Sequence, residues 1–228
     1  MTRPILRQSP ASPQAAEYAG ADLPRGATPW RRARYCVVDL ELSGLDPRHD
    51  EIISFAAVPV ESGLIIAGGA VYGVCHPTRP LGEASVLIHG LRTIDLDTAP
   101  PLDEAVLPLI AAMTGRVLVA HAAWVEQSFL SPVLRRQGVR LRHPVLDTQQ
   151  LGRLLSGEHG RLRTRPSLHE LAETLGLPSH RPHHALGDAL TTAQVFIALA
   201  AHLDTSASET VRSLALAKER ARMIDNGR

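Results

Sequence analysis

Dense apolar patterning begins at "RYCVVDLELSGLDP", from Arg34 to Pro47, where a run rich in β-formers closes in a Gly/Asp/Pro turn and predicts a first strand. "EIISFAAVPV" and "LIIAGGAVYGVCHP" come next, separated by Glu61, Ser62 and Gly63, and predict an antiparallel hairpin that extends the same sheet. "PLDEAVLPLIAAM" predicts a helix and "RVLVAH" a buried strand. Helical spacing of Val125, Phe129 and Val133 then carries the chain to a stop at Gly138, with Pro132 as a local perturbation. "PVLDT" predicts a short strand leading into a helix through "QQLGRLL", and "SLHELAETLGL" a short helix opened by a capping box of Ser167 and Glu170. "HALGDALTTAQVFIALAAHL" is the longest helical pattern in the chain.

Strands first, then strand and helix in alternation, imply an α/β domain over residues 34–203, a mixed sheet with helices packed on its faces. Residues 1–33 are rich in Pro, Ala, Arg and Gly without periodicity and predict a disordered or loosely attached arm, in which Pro4, Pro10, Pro13 and Pro24 spoil a helix. Residues 204–228 predict a helical extension, one further helix whose weak apolar face of Val211, Leu214 and Ala215 suits docking but not a second core. A chain of 228 residues with 44% hydrophobic content supports one well-buried domain and would cramp two.

The net charge of +1 carries no global message, so any nucleic-acid footprint must come from local clustering. Lys218 is the only lysine, and the abundant arginine, Ala, Leu and Pro suggest a G+C-rich coding genome. Arg31, Arg32 and Arg34 form a small basic cluster, and Arg135, Arg136, Arg140, Arg142, Arg161, Arg163 and Arg165 are candidate contacts to a phosphate backbone. Cys36 and Cys75 sit in strand-like runs and read as small buried hydrophobes, with no zinc spacing around them. No apolar run of membrane-spanning length and no signal-peptide pattern is evident, so the expectation is a soluble, cytoplasmic protein without a membrane partner.

Four acids change this picture. Asp39 and Glu41 stand two apart on the first strand, so both side chains point to one face of an otherwise apolar element. Two buried carboxylates repel unless one is protonated or a hard divalent cation satisfies both. Asp188 lies near the start of the longest helix, behind "RPHHALGD", which sets His183 and His184 beside it; histidine suits proton transfer near neutral pH. Glu126 follows the strand "RVLVAH", and its helical phase alone leaves a solvated face and a ligand role both open. If the four converge, they can hold two Mg²⁺ or Mn²⁺ ions about 4 Å apart for in-line displacement at phosphorus.

These residues resemble the DEDDh 3′-to-5′ exonuclease family. Its first motif, Asp-x-Glu followed by Gly-Leu, is similar to "DLELSGL" from Asp39 to Leu45; its Ile-His-Gly segment resembles "LIHGLRTIDLDTAPPLDEAV"; and its third motif, a histidine with an aspartate five residues on, matches His183 and Asp188. The resemblance covers about residues 34–200, with "VLDTQQLGRLL" similar to the family's Asp-Thr helix start. It implies a ribonuclease H-like, five-stranded mixed sheet flanked by helices, two divalent ions, and release of nucleoside 5′-monophosphates from a free 3′ end of single-stranded nucleic acid, DNA favoured over RNA. It further implies Asp39, Glu41, Glu126 and Asp188 as metal ligands, His183 as the base, and Leu42, Ser43, Gly44 and His89 as substrate-binding positions.

The chain departs from the family in places. The second motif usually reads His-Asn with an aspartate five residues after the histidine, where this chain has His121, Ala122 and Glu126. Leu42 replaces a customary threonine near the terminal nucleotide. Helix phase pairs His184 with Asp188, whereas the family spacing selects His183. The alternatives are a catalytically weakened nucleic-acid-binding module of the same fold, an RNA-trimming exoribonuclease, and a metal phosphohydrolase acting on small nucleotides. A polymerase or repair partner is conceivable on family grounds, without a recognisable docking tail. Trp124 reads as core packing beside the second motif rather than as a surface for a base.

Overall fold

The structure is a computed structural model that describes residues 9–159, 165–206 and 208–226. Arg161 and Arg163 lie outside the described residues. β1 (Arg34–Leu42) is the central strand, antiparallel to β2 (Ile52–Glu61) and parallel to β5 (Val117–Ala120), which in turn runs parallel to β6 (Val145–Asp147). Two short strands, β3 (Leu64–Ile65) and β4 (Val71–Val74), both pair with β2. The sheet therefore has six strands rather than the five expected, because a turn at Ala67–Gly69 interrupts the pattern "LIIAGGAVYGV".

β1 is buried on both faces, which is why its sequence is nearly continuous in apolar residues rather than alternating. Tyr35 and Val37 face one cluster, built with α8 (Ala185–Ser206), while Cys36, Val38 and Leu40 face a second, built with α4 (Leu107–Met113) and α5 (Trp124–Arg136). Both cysteines are free and buried, as their surroundings suggested. The helix expected at "PLDEAVLPLIAAM" is split into α3 (Leu102–Ala105) and α4, with Pro108 in the first turn of the second piece, where its missing N–H costs no hydrogen bond. The remaining helices are α2 (Glu83–His89), α6 (Thr148–His159) and α7 (Leu168–Thr174), the last opened by the expected capping box of Ser167 and Glu170. α8 is apolar and long enough to cross a membrane by length and composition, contrary to the sequence reading. Its Ala189, Ala193, Phe196, Leu199 and Ala200 are buried in the core instead.

The described parts of both flanking segments pack on this domain. The described part of the arm is folded: α1 (Pro13–Gly20) is capped by Ser12 and starts on Pro13, the helical position where proline is favourable. It buries Ala15 and Tyr18, and the Tyr18 hydroxyl accepts a hydrogen bond from the Arg142 backbone N–H at 3.1 Å. Trp30 is buried in the core beside Phe196. The extension is two helices, α9 (Val211–Ala215) and α10 (Ala217–Asn226), rather than one, and α8 runs through the boundary expected at residue 203. Val211, Leu214, Ala217 and Ala221 join the α8-side core. Residues 26–30 and 209–212 bond to each other along the backbone, Trp30 N–H to Glu209 O (3.1 Å), Val211 N–H to Thr28 O (3.0 Å) and Arg212 N–H to Gly26 O (2.8 Å).

Candidate active site

The acids gather at the carboxyl ends of the parallel strands β1 and β5, where open α/β sheets place their ligands. Asp39 and Glu41 project toward α8, as their spacing required, and Asp188 comes down from the first turn of that helix. Ligand atoms of Asp39, Glu41 and Asp188 all lie within 4.8 Å of one another. The register slips just after Glu41, between Glu41 and Leu42, where the strand ends its regular pairing with β2.

Glu126 enters from the opposite layer, in the first turn of α5. It is only 3% exposed, so the solvated-face alternative is excluded. Burial pushes its carboxyl up to about 8, with the Asp147 charge adding to the effect. Asp39 is raised well above the ordinary carboxylate range, first by burial and then by the charges of Glu126, Asp188 and Glu41. Glu41 is pushed up to about 7 by burial and by Asp188. Among the described residues, Glu126 Oε2 and Asp188 Oδ1 are buried and make no hydrogen bond. Four carboxylates all raised by burial, with Asp39 raised further by the other three and two carrying orphaned oxygens, offer the kind of donor set that suits a hard divalent cation.

His183 sits in the loop before α8, exposed and in the left-handed backbone region (φ 57°), a conformation that non-glycine residues adopt at a cost. Its backbone N–H donates to Asp188 Oδ2 at 2.9 Å, which fixes the loop to the acid it precedes. His184 turns elsewhere: its ring stacks on Tyr72 at 4.9 Å with an interplanar angle of 15°. The i, i+4 relation between His184 and Asp188 is realised in the backbone, Asp188 N–H to His184 O at 2.9 Å. His121 is half-buried against Thr148, Nδ1 to Oγ1 at 3.0 Å, and loss of solvent lowers its pKa to about 4, so it is neutral at pH 7.

The other expected positions have local duties. Leu42 packs against the apolar cluster on the α5 side. Ser43 Oγ donates to Asp50 Oδ1 (3.0 Å) and accepts from the Glu51 N–H (3.1 Å), and a Cβ at Gly44 would collide with the same Asp50 carboxylate. His89 ends α2, 8% exposed; its Nδ1 accepts from the Leu91 N–H at 3.1 Å, and its buried Nε2 makes no hydrogen bond among the described residues. Of the candidate backbone-contact arginines, Arg142 is spent on the arm, bonding to Tyr18 O and Ala21 O, and Arg136 pairs with Asp103 at 2.9 Å. Arg135 and Arg136 also stand at the far end of α5, about 15 Å along the axis from Glu126. Trp124 is 54% exposed, not packed in the core, because it stands about 200° around α5 from the buried Glu126.

Asp147 was missed by sequence reasoning. At the end of β6 its Oδ1 accepts from the N–H of Ala122 (3.1 Å) and of Gln149 (2.9 Å), so one carboxylate ties the starts of α5 and α6 together and thereby places Glu126. An aspartate between an apolar strand and a helix was the available signal. Ala122, where the family usually carries asparagine, has φ 54°. Asparagine and glycine tolerate the left-handed region that alanine resists. Ala122→Gly and Ala122→Asn are therefore expected to stabilise the fold by about 0.5–1 kcal/mol, some 2–3 °C in Tm. A lower Tm for both in thermal melts would contradict this account of the turn.

Residues 36–196 match the exonuclease family model, described as RNase_T, Exonuclease. The chain belongs to that family. The match spans more than half of the chain and runs from β1 into α8, so it contains Asp39, Glu41, Glu126 and Asp188. A "DNA polymerase III subunit epsilon-like protein" of Rhodobacter capsulatus is 33% identical over 183 residues, covering 79% of this chain and 25% of that protein. A "DNA polymerase III PolC-type" of Thermotoga petrophila is 32% identical over 170 residues, covering 74% of this chain and 12% of that protein. This exonuclease-family chain thus spans a quarter or less of the length of these curated relatives. The solved structure "Exonuclease X in complex with 5′ overhanging duplex DNA" superposes with a TM-score of 0.61 at 20% identity, covering 81% of this chain and 99% of that one, which shows the shared fold.

Proposed function

We propose that this exonuclease-family chain hydrolyses the terminal phosphodiester at a free 3′ end of single-stranded nucleic acid, DNA in preference to RNA, and releases nucleoside 5′-monophosphates. The observation that carries the reading is the convergence of Asp39, Glu41 and Asp188 within 4.8 Å, with Glu126 close enough to raise Asp39. These four would hold two divalent ions, Mg²⁺ or Mn²⁺, which when bound supply an activated water and neutralise charge on the phosphate. His183, exposed beside the acids, would take the proton of the attacking water. Its backbone bond to Asp188 holds it in reach, while His184 is engaged with Tyr72. Leu42, Ser43, Gly44 and His89 would border the terminal nucleotide. The DNA preference and a polymerase partner rest on the names of the relatives, both of DNA polymerase III.

The test is release of mononucleotides from labelled DNA and RNA oligonucleotides of matched sequence, with Mg²⁺ and with Mn²⁺, against a 3′-blocked control. Turnover on free 3′ ends is expected, and none on the blocked strand. Glu126→Gln should weaken both turnover and metal affinity, whereas Glu126→Asp, one methylene shorter, should keep turnover and change the ratio of rates in the two metals. Binding of oligonucleotide without turnover in either metal would support the weakened-module reading instead.

A further inference from the structure

Single-stranded nucleic acid is commonly held by aromatic rings on which its bases stack. This chain has eight Phe, Tyr and Trp residues to offer: two Trp, three Tyr and three Phe. Trp30, Tyr35, Phe55 and Phe196 are buried to 1% exposure or less, and Tyr18 and Phe129 to 3%. That leaves Trp124 at 54% and Tyr72 at 39%. Trp124 stands two residues before the buried Glu126, about 200° around the helix, so it faces away from the acids.

Tyr72 faces toward them. Asp39 pairs with Ala56 across β1 and β2, and Ala56 pairs with Tyr72 across β2 and β4, so the three form one cross-strand row with side chains on the α8 side of the sheet. Neighbouring strands lie about 4.8 Å apart, which puts Tyr72 about 10 Å from Asp39, at the edge of the sheet. The Glu41 charge is felt at the Tyr72 hydroxyl, and the Asp188 charge at His184. The His184 ring backs Tyr72 nearly in parallel, at 4.9 Å and 15°. Exposed Arg181 acts on both rings, so a cation stands on the platform's rim for a strand phosphate.

We infer that the Tyr72–His184 stack is a base platform, which receives a nucleobase of the single strand whose 3′-terminal phosphodiester lies at the four acids; this rests on the exonuclease reading above. A base laid against the open side of Tyr72 extends a stack that the fold has already built, so little ordering remains for binding. Base stacking tolerates any sequence, because every base has a π-face, and the platform would hold a strand without selecting its letters.

The experiment compares the wild type with Tyr72→Ala and Tyr72→Phe on a DNA oligonucleotide and on the same strand carrying abasic sites in its last nucleotides. On the natural strand, Tyr72→Ala should raise KM about tenfold with kcat little changed, the scale of one lost stacking contact. Tyr72→Phe, which keeps the ring, should match the wild type. On the abasic strand all three proteins should share one KM. Equal KM for wild type and Tyr72→Ala on the natural strand overturns the platform, as does an equal rise on both strands, which marks a general loss of structure. Binding of the same strands in EDTA, followed by fluorescence anisotropy, reads the platform without chemistry. A wild type that binds but does not turn over would sink the exonuclease reading, while the anisotropy difference between wild type and Tyr72→Ala still decides the platform.

Discussion

Asp39→Asn is expected to lower exonuclease turnover by about a hundred- to a thousandfold, the scale of removing one preorganised electrostatic partner from a reacting centre. In the same variant the metal-free protein should be as stable as the wild type or more so. An amide cannot supply the charge that a divalent ion requires, so the proposed donor set of Asp39, Glu41, Glu126 and Asp188 would be broken at the residue that all three others act on. Yet the same carboxylate is surrounded by three others that raise its pKa, so without metal its charge is a burden on the fold. Turnover assayed on a labelled oligonucleotide, beside Tm in EDTA, separates the effects. Retained turnover would remove Asp39 from the centre, and a large fall in Tm would show that its role is packing.

The second large effect is in pH. In EDTA, stability is expected to fall as pH rises from about 4.5 to about 8. In the folded protein Glu126 holds its proton up to about 8 and Glu41 up to about 7, whereas both have an ordinary value of 4.5 once unfolded. The folded state therefore binds more protons across that window, and stability declines as those protons are lost. Below about 6.5 the slope should lessen without vanishing, because His121, lowered to about 4 in the fold, takes up a proton only when the chain unfolds and offsets one of the two carboxyl protons. Mg²⁺ or Mn²⁺ should reverse the upper limb, since cations bind the ionised carboxylates and stabilise the folded state by mass action. Thermal melts across pH, with and without metal, read this directly; a metal-free Tm that climbs between pH 6.5 and 8 would contradict the raised carboxyls.

The positions legible in the sequence were those with a period or a local grammar. Asp39 and Glu41 share a face because strands alternate, and Ser167 with Glu170 opens α7 because caps are local. The burial of Glu126 was not legible, since helix phase permits two faces and only the Asp147 carboxylate, a strand away, fixes how α5 begins. The arm misled for a related reason. α1 buries just Ala15 and Tyr18, too little to make a periodic signal, and its anchor is Arg142, which lies far along the chain. Tyr72 is one β-former among several in "AVYGV". Its stack on His184 joins an edge strand to a helix start, and no local pattern announces such a contact.

The backbone bonds between residues 26–30 and 209–212 impose an order on synthesis. The Trp30 N–H meets its acceptor, Glu209 O, only after nearly the whole domain has left the ribosome. Contacts between such distant segments close late, and until then the groups they cover stay open to solvent. A nascent chain halted in α8 beyond Asp188 would thus carry Asp39, Glu41, Glu126 and Asp188 and still lack the seam that joins residues 26–30 to residues 209–212.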